Sequence, residues 1–186
     1  MIHFVSDTHF GHFNIIKYSN RPFDTVEDMN SALIKNWNER VATSDIVYHL
    51  GDFAFMTLDQ IKNVTKCLNG TKHLILGNHD KTIIQNKNDL LKCGSFNSIQ
   101  NYYELKANGE FIVLFHYGQR VWNKSHRGSI MLYGHSHGSL PPLGKSVDVG
   151  VDCKEITSDY RPVSLDEVLT YMSKREFVAV DHHEGE

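Results

Sequence analysis

Five strand-length apolar runs, each stopping at a carboxylate, an amide or an imidazole, constrain this chain more than any other feature. Ile2–Val5 leads into Ser6-Asp7-Thr8-His9, and Ile46–Leu50 into Gly51-Asp52. His73–Leu76 runs into Gly77-Asn78-His79-Asp80, Phe111–Phe115 into His116, and Ile130–Tyr133 into Gly134-His135-Ser136-His137. The runs are β-branched or aromatic and almost free of charge, the pattern of strands covered on both faces.

Helices separate the early runs. Thr25 opens a stripe of Val26, Met29, Leu33, Trp37 and Val41 at helical spacing, with Glu27 and Asp28 in the first turn. Thr57-Leu58-Asp59-Gln60 reads as a capping box before Ile61, Val64 and Leu68, with a stop at Gly70. Ser164-Leu165-Asp166-Glu167 is a second box leading into Val168, Leu169 and Met172. Asn108-Gly109, between Tyr102–Lys106 and Phe111–Phe115, signals a tight hairpin. The order predicts α/β architecture with parallel strands early and mixed or antiparallel strands late. Residues 1–180 read as a single domain, with Asp181–Glu186 a polar, fraying tail.

Composition narrows the function classes. The 186 residues carry 19 Lys+Arg against 22 Asp+Glu, a net charge of −3 that disfavours a protein built to coat extended nucleic acid. The longest apolar run falls far short of the roughly 20 residues of a membrane span. No signal peptide is legible at Met1–Asp7, and Cys67, Cys93 and Cys153 form no disulfide framework or paired metal motif; the expectation is a reducing cytoplasm. Cys67 is expected to face inward on its helix. The anomaly is 12 histidines. His3, His49 and His73 lie inside apolar runs and read as core or flank histidines.

Ligands in open α/β sheets bind beyond the carboxyl ends of strands. Strands sharing such an edge would bring Asp7, His9, Asp52, Asn78, His116, His135 and His137 together. These are too many for one tetrahedral zinc and include no thiolate. They suit two divalent ions of intermediate hardness, with Mn²⁺ the first choice and Fe²⁺, Ni²⁺ or Zn²⁺ the others. Gly51, Gly77 and Gly134 precede ligand positions, where a missing side chain lets ligands approach closely.

Asp-x-His, Gly-Asp, Gly-Asn-His-Asp, a lone His and Gly-His-x-His, spread in this order over residues 7–137, resemble the signature of the calcineurin-like metallophosphoesterases. The resemblance implies an αββα sandwich of two mixed sheets flanked by helices. It also implies a first metal on Asp7, His9 and His137, a second on Asn78, His116 and His135, and Asp52 bridging both. His79 corresponds to the histidine that contacts substrate, either donating to the leaving oxygen as general acid or hydrogen-bonding a phosphoryl oxygen, and Asp80 would orient it. The chain departs from the pattern at Phe53-Ala54-Phe55, which lacks a second Asp, and at His116-Tyr117-Gly118; His126 is the alternative to His116.

The activity so implied is phosphoester hydrolysis. Two cations about 3.5–4 Å apart would generate a bridging hydroxide that attacks phosphorus in line. The compact chain favours a phosphodiesterase acting on a small nucleotide-type substrate over a phosphomonoesterase, a nuclease or a non-catalytic scaffold. Phe10-Gly11-His12 and Arg21-Pro22-Phe23 resemble a compact bacterial and phage subgroup and leave two readings open. In one, His12 stands at the rim of the crevice and the fork of Arg21 holds a substrate phosphate. In the other, His12 caps a short helix and Arg21 pairs with Asp24 or Asp28 on the surface.

Overall fold

The computed structural model describes residues 1–157 and 159–178. The expected tail, 181–186, lies outside the described residues. The chain runs β1 (Ile2–Val5), α1 (Phe13–Tyr18), α2 (Val26–Arg40), β2 (Ile46–His49), α3 (Leu58–Cys67) and β3 (Thr71–Ile75). It continues through α4 (Lys81–Gln85), α5 (Lys87–Lys92), β4 (Ser98–Gln100), β5 (Tyr102–Ala107) and β6 (Glu110–Phe115). A 3₁₀ turn at Ser125–Arg127 precedes β7 (Ile130–Tyr133), β8 (Ser146–Asp148), β9 (Val163–Ser164) and α6 (Leu165–Met172).

Two mixed sheets result. The first has the order β4-β3-β2-β1-β9, parallel except for the antiparallel edge pair β1–β9. The second has the order β5-β6-β7-β8, antiparallel at β5–β6 and parallel thereafter. Ala107 pairs with Glu110, so Asn108 and Gly109 form a two-residue turn, both at positive φ, as a type I′ turn requires. The resulting architecture is the two-sheet, helix-flanked sandwich expected from the motifs.

The helices form where their caps and stripes predict. Thr25 accepts the backbone N–H of Asp28, and both capping boxes, Thr57 with Gln60 and Ser164 with Glu167, are complete. Helix α2 buries Met29, Leu33 and Trp37 against Val5, Val47 and Leu74 on the outer face of the first sheet, which α1 and α3–α5 also cover. Each such fully buried side chain contributes about 1.5–3 kcal/mol. Cys67 departs from expectation and is exposed. The inward face of α3 runs through Ile61 and Thr65, and Cys67 lies two residues past Thr65, on another side of the helix.

Between the sheets, Phe4, Leu50 and Ile75 meet Ile112, Leu114, Ile130 and Leu132, joined by Val168 and Met172 of α6. Trp122, Met131 and Tyr133 close the other face of the second sheet. The sheets are stitched together at the site end: Ser6 bridges Gly150, donating to Val149 and accepting from Val151. No helix among the described residues is long and apolar enough to cross a membrane.

Candidate metal centre

All seven motif residues lie on the loops that follow β1, β2, β3, β6 and β7. The β1 and β2 ends are paired to each other beyond the strands. The backbone N–H of Asp7 donates to Gly51, that of His9 to Asp52, and pairing resumes at Phe10–Ala54. Two ligand loops are thereby locked side by side. Ligand atoms of Asp7, His9 and His137 lie within 4.8 Å of one another, and so do those of Asp52, His116 and His135. Asp52 sits between the groups: its Oδ2 is 3.7 Å from His9 Nε2 and 3.6 Å from His116 Nε2. The lone histidine after β6 is therefore inside the cluster, whereas His126, in the 3₁₀ turn, belongs to neither group.

The backbone at these loops is unusual. Asp7, His9, Asp52, His135 and His137 all have φ between 48 and 68°. Non-glycine residues seldom adopt this left-handed region, and Asp, Asn and His are the types that enter it most readily. The glycines make room for close approach. A Cβ on Gly77 would overlap Asp52 Oδ1, and one on Gly134 would overlap Ser6 Oγ and lie 2.6 Å from Asp7 Oδ2.

Charge and hydrogen bonding fit a cation in each group. His116 Nδ1 donates to the Leu50 carbonyl at 2.7 Å, which fixes the tautomer and leaves Nε2 with a lone pair when the ring is neutral. Burial pushes the His116 pKa down in spite of Asp52. Its Nε2 then faces Asn78 Oδ1 at 3.1 Å and Asp52 Oδ2 at 3.6 Å. Three acceptors pointing at one another repel unless a cation lies among them.

In the other group, both ring nitrogens of His9 are buried without a hydrogen-bond partner, a state that costs about 1–3 kcal/mol per unsatisfied atom. Burial and the neighbouring His137 and Arg21 depress the His9 pKa far below the usual imidazole range. Burial, reinforced by Asp148 and Asp52, holds Asp7 well above the usual carboxylate range. A divalent ion would reverse both penalties.

Four residues have surroundings their motifs do not announce. Asp80 is 1% exposed, and its carboxylate accepts the backbone N–H groups of Asp52, Phe53 and Gly77 at 2.8–2.9 Å. Among the described residues none of its hydrogen bonds reaches the His79 ring, so the expectation that it orients that ring is corrected. Asp80 ties the β2 and β3 loops together, and burial lifts its pKa to about 7 against those hydrogen bonds. His79 itself is exposed and is positioned through its backbone N–H, which donates to Asp52 Oδ1 at 2.8 Å.

Arg21 is corrected on both its readings. Its side chain is wholly buried, bound to Asp152 and not to Asp24, Asp28 or the open crevice. A guanidinium read as a surface or rim group serves instead as the internal partner of a carboxylate and two loop carbonyls. His12 occupies the N-cap position of α1 without a side-chain cap bond, and its ring stacks on Phe55 with centroids 3.9 Å apart.

Sequence reasoning missed Asp148 and Asp152. Asp148 accepts from Ser136 Oγ, Gly138 N–H and Gly150 N–H, bracing the His135–His137 loop, and Asp152 accepts from His137 Nδ1 at 2.7 Å. The signal existed: Val147-Asp148-Val149-Gly150-Val151-Asp152 is another apolar stretch ending in carboxylates.

Two clefts open beside the cluster. One, of about 720 Å³, is lined by His9, His12, Tyr18, Phe55, His79 and His137 among others. The second, of about 530 Å³, is lined by Phe55, Met56, Gln60, His79, Lys81 and Thr82 with two neighbours. Phe55 and His79 belong to both.

Comparison with known proteins agrees with this geometry. The sequence pattern of the calcineurin-like phosphoesterase superfamily domain matches residues 1–145. An uncharacterized protein of Methanocaldococcus jannaschii is 36% identical over 186 residues, covering 95% of this chain and 94% of its own length. The Gene 66 protein of Mycobacterium phage L5 is 27% identical over 161 residues, covering 74% of this chain and 77% of that protein. Among solved structures, a protein of unknown function from Aquifex aeolicus superposes with a TM-score of 0.69 at 26% identity, covering 91% and 98% of the two chains. A novel archaeal phosphodiesterase shares the fold, with a TM-score of 0.51 at 20% identity and coverage of 84% and 87%. The chain belongs to the calcineurin-like phosphoesterase superfamily, a metal-dependent family, and is a hydrolase of phosphoesters.

Proposed function

We propose that this protein is a binuclear metal-dependent phosphodiesterase acting on a small nucleotide-type substrate, with Mn²⁺ as its working metal. The observation that carries the diester reading is the pair of clefts meeting at Phe55 and His79. A phosphate monoester has one substituent to place, whereas a diester has two, and each cleft receives one. The nucleotide reading rests on the wall of the larger cleft. There the His12–Phe55 stack and Tyr18, 73% exposed, offer flat faces to a base.

Asp7, His9 and His137 would hold one ion, Asn78, His116 and His135 the other, and Asp52 would reach both. When bound, two such ions activate water near neutral pH and neutralise charge developing on the phosphoryl oxygens. The chain's own residues do the rest. Asp52 Oδ1 fixes the His79 backbone, presenting the imidazole at the junction of the clefts. From there the imidazole donates a proton to the departing ester oxygen. Lys81, exposed on the second cleft, faces whatever anionic group the second substituent carries.

The test is hydrolysis by the Mn²⁺-loaded enzyme of matched substrates: bis-aryl and mono-aryl phosphate, cyclic and linear dinucleotides, mononucleotides, and single-stranded DNA. Preference for the diesters, with dinucleotides above aryl diesters, is expected. Faster turnover of monoesters would replace this reading with a phosphomonoesterase, and preference for long DNA with a nuclease. No turnover of any of these esters would reject the nucleotide-type substrate.

A further inference from the structure

We propose that Arg21 and Asp152 form a buried positioning unit that serves the first ion's ligands selectively. The proposal rests on the two-ion reading above. The Arg21 guanidinium uses its fork on three segments at once. Nε and Nη2 clasp the two oxygens of Asp152 at 2.9 and 2.8 Å. Nη2 also donates to the Asp7 carbonyl at 2.7 Å, and Nη1 to the Thr8 carbonyl at 2.9 Å. Asp152 Oδ2 in turn accepts from His137 Nδ1 at 2.7 Å. One guanidinium thereby reaches the Asp7-Thr8-His9 loop through its backbone and His137 through a carboxylate. All three ligands of the first group depend on it. Nothing in the second group touches it; there His116 is held by the Leu50 carbonyl and the Asp52 loop by Asp80.

The physical requirement is clear. His137 must keep Nε2 unprotonated toward an ion, and a carboxylate on Nδ1–H secures that tautomer and raises the ring's basicity. Two of the first group's ligands, Asp7 and His9, sit on left-handed backbone beside the carbonyls that Arg21 binds. Lysine could not replace Arg21, since a single ammonium cannot span a bidentate carboxylate and two carbonyls.

The experiment is Mn²⁺ titration of the full chain, with stoichiometry read by metal analysis and the two sites distinguished by the paramagnetic resonance of coupled against isolated Mn²⁺. Wild type is expected to take two ions. Asp152→Asn should weaken one of them 10–100-fold and leave an isolated Mn²⁺ signal, with the second site unchanged. In the metal-free protein, ¹⁵N resonances should shift His137 away from the Nδ1–H form. Added to His137→Ala, Asp152→Asn should weaken affinity less than it does in wild type, because part of its effect passes through His137. Arg21→Lys should act in the same direction. If Arg21 variants do not fold, Asp152→Asn and the double-variant cycle decide alone. Two ions bound by Asp152→Asn at wild-type affinity, or equal weakening of both, would overturn the proposal. A wild type that binds one ion refutes the two-ion reading; loss of that ion in Asp152→Asn would still support the unit, and its retention would end it.

Discussion

Variants of Asp52 and His79 would separate metal binding from chemistry. Asp52 Oδ2 stands within 3.7 Å of a histidine from each group, so Asp52→Asn should weaken both ions and nearly abolish turnover. The His79 ring belongs to neither group, so His79→Ala should keep its ions while losing about 10²–10⁴-fold in rate, the range of a positioned acid–base group. Metal analysis beside initial rates decides both; metal loss in His79→Ala would make it a ligand. Gly134 offers a sharper test of packing. Its missing Cβ is the space Ser6 and Asp7 occupy, and Gly134→Ala should lower stability by about 1–3 kcal/mol by overpacking and weaken the first ion. Chemical denaturation with and without Mn²⁺ measures both effects, and unchanged metal affinity would show that the loop has slack.

At the scale of elements, the end of β2 carries an acid-sensitive contact. His49 is 1% exposed; its Nδ1 accepts the Gly51 N–H, and its Nε2 donates to Thr8 Oγ1, which itself donates to the Phe53 carbonyl. Both nitrogens are satisfied only in the neutral ring, and burial, with His116 nearby, drives the pKa down to about 3. Below the unfolded value of about 6.5, the unfolded chain binds a proton that folded His49 refuses. Stability is therefore full above pH 6.5 and falls by about 1.4 kcal/mol per pH unit toward pH 3. Urea unfolding of metal-free protein at pH 6.5 and 5 should show a loss of about 2 kcal/mol from this group. In His49→Asn that contribution should be absent, and an identical pH slope in the variant would refute it.

The same scale shows what was legible. Capping boxes, the α2 stripe and the Asn108-Gly109 turn are local chemistry, and each predicts its element. Strands β8 and β9, three and two residues long, and the single-turn helices α4 and α5 are too short to carry a period. The clustering of the motif residues was legible because each follows an apolar run. The fates of Arg21 and Asp80 were not, since a charged side chain does not state whether its partner is water, a ligand or a buried backbone amide.

For the whole molecule, the site lies where the two sheets are stitched together, at the Ser6–Gly150 bridge and the hydrogen bond from His116 Nδ1 to the Leu50 carbonyl. Ions bound there would join loops from both sheets and should stabilise the entire fold. At free metal 100-fold above Kd, each site adds about 2.7 kcal/mol. For a chain of this size that corresponds to roughly 5–10 °C in Tm per site. Calorimetry before and after chelation should show that drop and its reversal by Mn²⁺. A Tm indifferent to verified metal removal would mean the loops are held by protein contacts alone.

The left-handed backbone at Asp7, His9, Asp52, His135 and His137 would bias the donors these positions can offer a metal. The residue types that enter that conformation most readily, aspartate, asparagine and histidine, supply oxygen and imidazole donors, so the chain geometry selects a ligand vocabulary before any ion arrives. A thiolate is disfavoured at these five positions for reasons of backbone, whatever the metal would prefer. Asn78 and His116 lie outside the left-handed set. A search for variants redirected toward soft ions should therefore recover folded His116→Cys and Asn78→Cys chains, whereas His135→Cys and His137→Cys should unfold more readily. Equal stability across the four would show that the loops exert no such selection.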